Sequence, residues 1–156
     1  MDYEIRRITA GADDAVYSRL SQIDKECVGA EGWSEGSFRS ECEKDCGIVL
    51  AAYSGGDIAG LLSGYFASGE GDITSVAVSR DHRRKGIADR LLEEFEALLP
   101  ADTESIFLEV RQSNQPAVSL YEKHGYKRLS VRKRFYSDPT EDAIVMQKCL
   151  TDNNTI

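Results

Sequence analysis

The sequence has no long apolar run, few histidines and no surplus of positive charge, and each absence removes a class of function. No stretch approaches the ~20 consecutive apolar residues that a membrane-spanning helix needs. The opening residues, Met1-Asp2-Tyr3-Glu4-Ile5-Arg6-Arg7, lack the apolar core of an export signal, so a cytoplasmic location is the expectation. The formal net charge is −8, whereas a nucleic-acid or anionic-membrane surface normally demands a basic face, and neither partner is expected. The two histidines, His82 and His124, stand alone, and Cys42 with Cys46 would need two further ligands to hold zinc. No metal is therefore expected, and Cys27, Cys42, Cys46 and Cys149 read as reduced thiols. Neither the Gly-Lys-Ser/Thr ending of the Walker phosphate loop nor the three-glycine dinucleotide fingerprint occurs. Repeats, linkers and low-complexity segments are also missing. A chain of 156 residues without them is expected to form one domain over 1–150, with 151–156 a frayed tail.

What is present is a regular alternation of short elements. Residues 3–8 suit an edge strand. A helix is expected from Asp13-Asp14 to about Cys27, with Val16, Leu20 and Ile23 on its inner face. A glycine-rich segment, Gly29 to Phe38, carries the only tryptophan, Trp33. Helical polarity returns over 37–45 and should stop at Gly47 in a left-handed cap. Strands over 48–53, 58–67 and 72–78, separated by the turns 54–57 and 68–71, make an antiparallel meander. The apolar stripe Ile87, Ala88, Leu91, Leu92, Phe95, Leu98 and Leu99 then marks the clearest helix. The strand Ile106–Val110 follows, so strand, helix and strand form a right-handed crossover between parallel strands. Asn114 and Pro116 start a helix that Gly125 ends, and two strands, 126–135 (strongly basic) and 143–148, finish the chain.

Between the meander and the long helix lies Arg80-Asp81-His82-Arg83-Arg84-Lys85-Gly86-Ile87-Ala88. Backbone N–H groups at a helix start, flanked by three cations, are a receptacle for phosphate. Glu109 interrupts an otherwise apolar strand on the side of Phe107 and Arg111, and is the candidate base. Its other reading is a glutamate paired with Arg111. Tyr121, on the inner side of the next helix, is the candidate acid or else a core tyrosine.

Arg83-x-x-Gly86-x-Ala88 resembles the phosphate loop of the GNAT superfamily, the acetyl-CoA-dependent N-acetyltransferases. Val76-Ala77-Val78, Leu108-Glu109-Val110-Arg111 with Asn114, and Leu120-Tyr121-Glu122-Lys123-His124-Gly125-Tyr126 stand in family order and spacing. Trp33-Ser34-Glu35 and Arg132 to Tyr136 with Glu141 to Ile144 are similar to the bacterial ribosomal-protein-alanine N-acetyltransferase branch. The resemblance implies a mixed α/β fold: a mostly antiparallel sheet of about seven strands, one parallel crossover, and helices on both faces. It implies acetyl-CoA as acetyl donor and an N-terminal α-amine, alanine first, as acceptor. Glu109 would be the general base and Tyr121 the general acid. Val76, Ala77 and Val78 would align the pantetheine arm. Arg83, Arg84, Lys85, Gly86, Ile87 and Ala88 would hold the pyrophosphate, and Asn114 would touch the cofactor. Trp33, Glu70 and Tyr136 are the candidate acceptor-side residues.

The chain departs from that branch in two places, both on the acceptor side. Gly32 rather than proline precedes Trp33, and Ser137-Asp138 follows Tyr136 where the family has proline. Two other functions stay open at this point: acetylation of a small amine or lysine side chain, and a non-catalytic acyl-CoA-binding module. The sequence is compatible with a monomer or a homodimer.

Overall fold

A strand enters the sheet wherever the apolar period is two, and a helix forms wherever it is 3.6. The chain, a computed structural model that describes residues 3–137 and 139–151, follows this at 87–98 and 105–111, whereas 47–52 are buried without alternation and 127–135 exposed without it. In order come β1 (Glu4–Ile8), α1 (Asp14–Val28), a 3-10 turn (Gly29–Glu31), α2 (Glu35–Glu43), β2 (Gly47–Ser54), β3 (Asp57–Ala67) and β4 (Glu70–Val78). A second 3-10 turn (Arg80–His82), α3 (Ile87–Leu98), β5 (Ser105–Arg111), α4 (Gln115–Lys123), β6 (Lys127–Tyr136) and β7 (Glu141–Cys149) complete it. The seven strands form one sheet in the order β1-β2-β3-β4-β5-β7-β6. β4 and β5 pair in parallel, while the β1/β2, β2/β3, β5/β7 and β6/β7 ladders are antiparallel. This is the expected mixed sheet. Residues 152–156 of the expected tail, and Asp138, lie outside the described residues. No helix among the described residues is long and apolar enough to cross a membrane.

The chain divides into two compact units, Met1–Tyr65 with Thr74–Leu99, and Phe66–Ile73 with Pro100–Ile156. In the first, Ile8, Tyr17, Leu20, Ile23, Phe38, Val49, Leu61 and Ala77 form one buried cluster. β2 is buried on both faces over Gly47–Ala52: Val49 and Ala51 join the α1 and α2 side chains of that cluster, and α3 packs against the strand as well. On α3 the buried residues are Ile87, Leu91, Leu92 and Phe95, the heart of the predicted stripe.

The α2 boundaries differ from the sequence expectation. Ser34 caps α2, its hydroxyl accepting from Ser37 N–H at 3.1 Å, so the helix starts earlier than Ser37. It ends at Glu43, and Gly47 is not its left-handed cap but the first residue of β2. Glycine is required at 47 by close approach, since a Cβ there would lie 2.0 Å from the Glu41 carbonyl oxygen. Cys46 therefore lies beyond the helix that carries Cys42, and all four cysteines are free. Burial pushes the Cys42 thiol up to about 11, which makes it an inert one.

In the second unit β5 alternates cleanly. Ile106, Leu108 and Val110 are buried, while Phe107, Glu109 and Arg111 share the half-exposed face. Val118 and Tyr121 of α4 are buried, as are Tyr126 and the β7 residues Ala143 to Met146. β6 is the edge strand, exposed along almost its whole length. It carries Leu129, Val131 and Phe135 at the surface among Lys127, Arg128, Arg132, Lys133 and Arg134, and such charge keeps an open edge from pairing with another chain.

Candidate active site

The first unit holds the candidate phosphate turn. β4 delivers Val76, Ala77 and Val78 to it, and Ser79 N–H, bonded to the Ala59 carbonyl at 2.8 Å, fixes where the strand ends. The parallel ladder of β4 with β5 covers Glu70–Ile73, so Val76–Val78 lie past its end. After the 3-10 turn the backbone visits the left-handed region twice, at Arg84 (φ 63°) and at Gly86 (φ 80°), immediately before α3. Alternation of this kind makes a concave run of N–H groups, and α3's first N–H groups extend it. The first bond inside the helix is Arg90 N–H to Gly86 carbonyl at 3.2 Å. Arg83, Arg84 and Lys85 are all exposed around this turn. The N–H run and the exposed cations around it suit a pyrophosphate in sign.

Arg83 is not a loose cation. Its Nε donates to the Val78 carbonyl at 3.1 Å and its Nη2 to Cys27 Sγ at 3.4 Å, tying the turn to the ends of β4 and α1. Gly60 of β3 matters for the same reason: a Cβ there would sit 3.0 Å from Ile87 Cγ2 and 3.2 Å from the Ala77 carbonyl oxygen. His82 meets the Tyr3 hydroxyl through Nδ1 at 3.2 Å, so the residue leading into β1 also steadies the turn.

Trp33 lies in the same unit, on the segment between α1 and α2. Its N–H donates to Asp24 Oδ2 at 2.7 Å and its carbonyl accepts from the Ser21 hydroxyl at 2.7 Å. Its ring packs on Phe38 with centroids 5.2 Å apart. The departure at Gly32 has a physical cause. Gly32 N–H bonds to the Gly29 carbonyl at 2.9 Å, and a Cβ at 32 would meet Lys25 backbone atoms at 2.8 Å. Proline could supply neither the donor nor the space.

The second unit holds the candidate base and acid. Glu109 Oε1 stands 3.8 Å from Arg132 Nη2, and its side chain is 29% exposed. Arg111, the partner considered from sequence, is engaged elsewhere. It pairs with Glu141 at 3.3 Å, donates to the Ser137 and Pro139 carbonyls, and lies over the Tyr136 ring at 4.4 Å. Arg111 thus anchors the β6–β7 connection. Ser113 and then Arg111 hold the Glu141 carboxyl below its usual range. Tyr121 is buried beside Tyr126, ring centroids 5.9 Å apart. Burial first, then the Tyr136 phenol, pushes Tyr121 well above the ordinary phenol range, so it keeps its proton at neutral pH.

Asn114 caps α4, its side-chain oxygen accepting from Ala117 N–H at 3.2 Å. Glu70 opens β4 opposite Ser105, which places it about 13 Å along the sheet from Glu109, and the two do not meet. The sequence reading missed Ser21, Asp24 and Ser75, polar residues within apolar patterns that carry no motif signal.

The acetyltransferase (GNAT) family matches residues 16–126, which contain Trp33, the phosphate turn, Glu109, Asn114 and Tyr121. The chain belongs to that family. An N-alpha-acetyltransferase of Saccharolobus solfataricus is 46% identical over 83 residues, 52% of this chain and 49% of that protein. The chain thus spans about half the length of that relative. The ribosomal protein bS18-alanine N-acetyltransferase of Escherichia coli is 32% identical over 118 residues, 73% of this chain and 78% of the other. The crystal structure of the Escherichia coli ribosomal-protein-S18-alanine N-acetyltransferase superposes with a TM-score of 0.80, covering 99% of both chains at 26% identity. A GNAT acetyltransferase from Elizabethkingia anophelis, solved with acetyl-CoA bound, shares the fold at 20% identity (TM-score 0.73, 95% of this chain and 98% of that one).

Proposed function

We propose that the chain is an acetyl-CoA-dependent N-acetyltransferase whose acceptor is the N-terminal α-amine of a protein, alanine first, with ribosomal proteins as the substrate type. Acetyl-CoA supplies the activated acyl group. The backbone N–H groups of Arg83 to Ala88 hold its pyrophosphate with Arg84 and Lys85 alongside. Val76 to Val78 pair with the pantetheine arm as an added strand, and Asn114 adds a contact from the α4 start. Glu109 takes the proton that the acceptor ammonium must lose, directly or through one water. Tyr121, which stays protonated across the neutral range, gives its proton to the departing thiolate. Trp33 and Tyr136 border the acceptor.

The acceptor class follows from proton affinities. A free α-amine has a pKa of about 8 and a lysine ammonium about 10.4, so the α-amine asks much less of a single carboxylate. One observation carries the reading: Glu109, an acid on the half-exposed face of a strand whose other face is core, in a chain whose relatives are named N-acetyltransferases. We also propose a single catalytic domain over 1–150, acting in the cytoplasm as a monomer or homodimer. The test is mass spectrometry of a peptide beginning with alanine after incubation with the protein and acetyl-CoA. One added acetyl group on the α-amine is expected, and an unmodified peptide would refute the reading.

A further inference from the structure

Among the described residues of the first unit Asp24 is the most deeply buried acid, 1% exposed on α1. It spends both carboxylate oxygens on groups outside its own helix. Oδ2 accepts the Trp33 N–H at 2.7 Å, and Oδ1 accepts the hydroxyl of Ser75 on β4. Ser21, one turn earlier on the same helix face, donates its hydroxyl to the Trp33 carbonyl at 2.7 Å. Both backbone polar groups of Trp33 are therefore claimed by α1, and the same carboxylate reaches the strand residue that precedes Val76. A groove of about 540 Å³ lies alongside, with Trp33, Ser34, Ser37, Glu41, Tyr65 and Thr74 in its lining. Asp24 grips the backbone of Trp33 itself and the hydroxyl of Ser75, the chain neighbour of Thr74.

A buried carboxylate is an expensive way to join two elements if adhesion alone is needed, since apolar contact does that with less desolvation. What a carboxylate with two directed hydrogen bonds adds is a fixed distance and angle. We infer that Asp24 is a positioning residue: it holds the Trp33 segment in register with β4 and so sets the shape of the groove the acceptor chain enters. It touches neither substrate. The inference rests on the acceptor reading above for its kinetic consequence, but its structural half does not.

Trp33 is the only tryptophan in the chain, which makes the clamp directly observable. Asp24→Ala is expected to shift Trp33 emission to the red and to increase its quenching by acrylamide at least twofold, with the far-UV circular dichroism retained. Asp24→Asn should restore most of the native signal, because its amide oxygen still accepts the Trp33 N–H and its NH2 group can donate to Ser75 Oγ. With an accepted peptide, Asp24→Ala should raise the acceptor KM about tenfold while acetyl-CoA affinity stays within about twofold. If Asp24→Ala does not fold, Ser75→Ala carries the test, with a severalfold rise in acceptor KM expected. Unchanged Trp33 fluorescence in folded Asp24→Ala, or an acceptor KM that moves only together with acetyl-CoA affinity, overturns the inference. Failure of the wild type to acetylate any α-amine would instead refute the acceptor reading and leave the fluorescence result decisive for the clamp.

Discussion

The candidate phosphate turn and the Trp33 segment are the two loops of the first unit proposed to meet substrates, and they take their shape by different means. The turn is shaped by its own backbone: Arg84 and Gly86 take positive φ, and nothing lies closer to a Cβ at Gly86 than Asp89 Oδ2 at 4.0 Å. Past Gly29 (φ 85°), the Trp33 segment takes an ordinary φ of −59° at Gly32 and is held from outside, by Ser21, Asp24 and the surface of α1. Each contains a glycine, for different reasons. Gly86 is needed for handedness and Gly32 for space. A loop defined by handedness is written into sequence as a local motif, whereas one defined by docking depends on residues far along the chain.

The comparison can be broken at several points. The largest effect belongs to neither loop and sets the scale: Glu109→Gln should lower kcat by ~100-fold or more with acetyl-CoA affinity and acceptor KM nearly unmoved. Steady-state kinetics with a binding titration checks this, and full activity would remove Glu109 from the base role. Tyr121→Phe should lower kcat by roughly tenfold or more. Because the Tyr121 phenol is raised, its protonated form persists to higher pH than an ordinary phenol, so wild-type kcat should not fall below about pH 10. An alkaline limb centred at pH 8 or 9 that vanishes in the phenylalanine variant would contradict this assignment.

Two alanine substitutions then separate the loops. Gly32→Ala drives a Cβ into the Lys25 backbone at 2.8 Å, so the Trp33 segment must lift from α1. Acceptor KM should rise about tenfold, with acetyl-CoA affinity unaffected. Gly86→Ala meets no clash but must hold φ 80°, at a conformational cost of about 1–2 kcal/mol. Acetyl-CoA affinity should weaken by about 5- to 30-fold while acceptor KM stays put. Crossed effects, with Gly32→Ala weakening acetyl-CoA or Gly86→Ala raising acceptor KM, would erase the distinction. The smallest effect is Arg84→Gly, which relieves a left-handed non-glycine residue and should stabilise the fold by about 0.5–1 kcal/mol in thermal unfolding.

The same contrast explains how far the sequence could be read. The meander, the crossover and α3 were legible because apolar period and turn residues are local signals. So were Gly86, as a helix-opening glycine after three cations, and Glu109, as an acid breaking an apolar strand. Gly47 looked like a helix cap because glycine after a helical stretch usually is one. Its true constraint, contact with the Glu41 carbonyl, is visible only in three dimensions. Asp24 looked like an ordinary polar residue of α1, since its partners lie 9 and 51 positions away. Arg111 likewise read as a neighbour for Glu109, yet alternation along β5 alone does not reveal that Glu141 and the β6–β7 carbonyls claim it.

The measurement closest to the central claim uses one peptide with both kinds of amine: an alanine N-terminus and an internal lysine, treated with acetyl-CoA and the protein. Tandem mass spectrometry then locates the acetyl group. The account predicts acetyl on the alanine α-nitrogen with the wild type and almost none with Glu109→Gln. Acetyl on the lysine Nζ, or equal labelling by the two proteins, would contradict it.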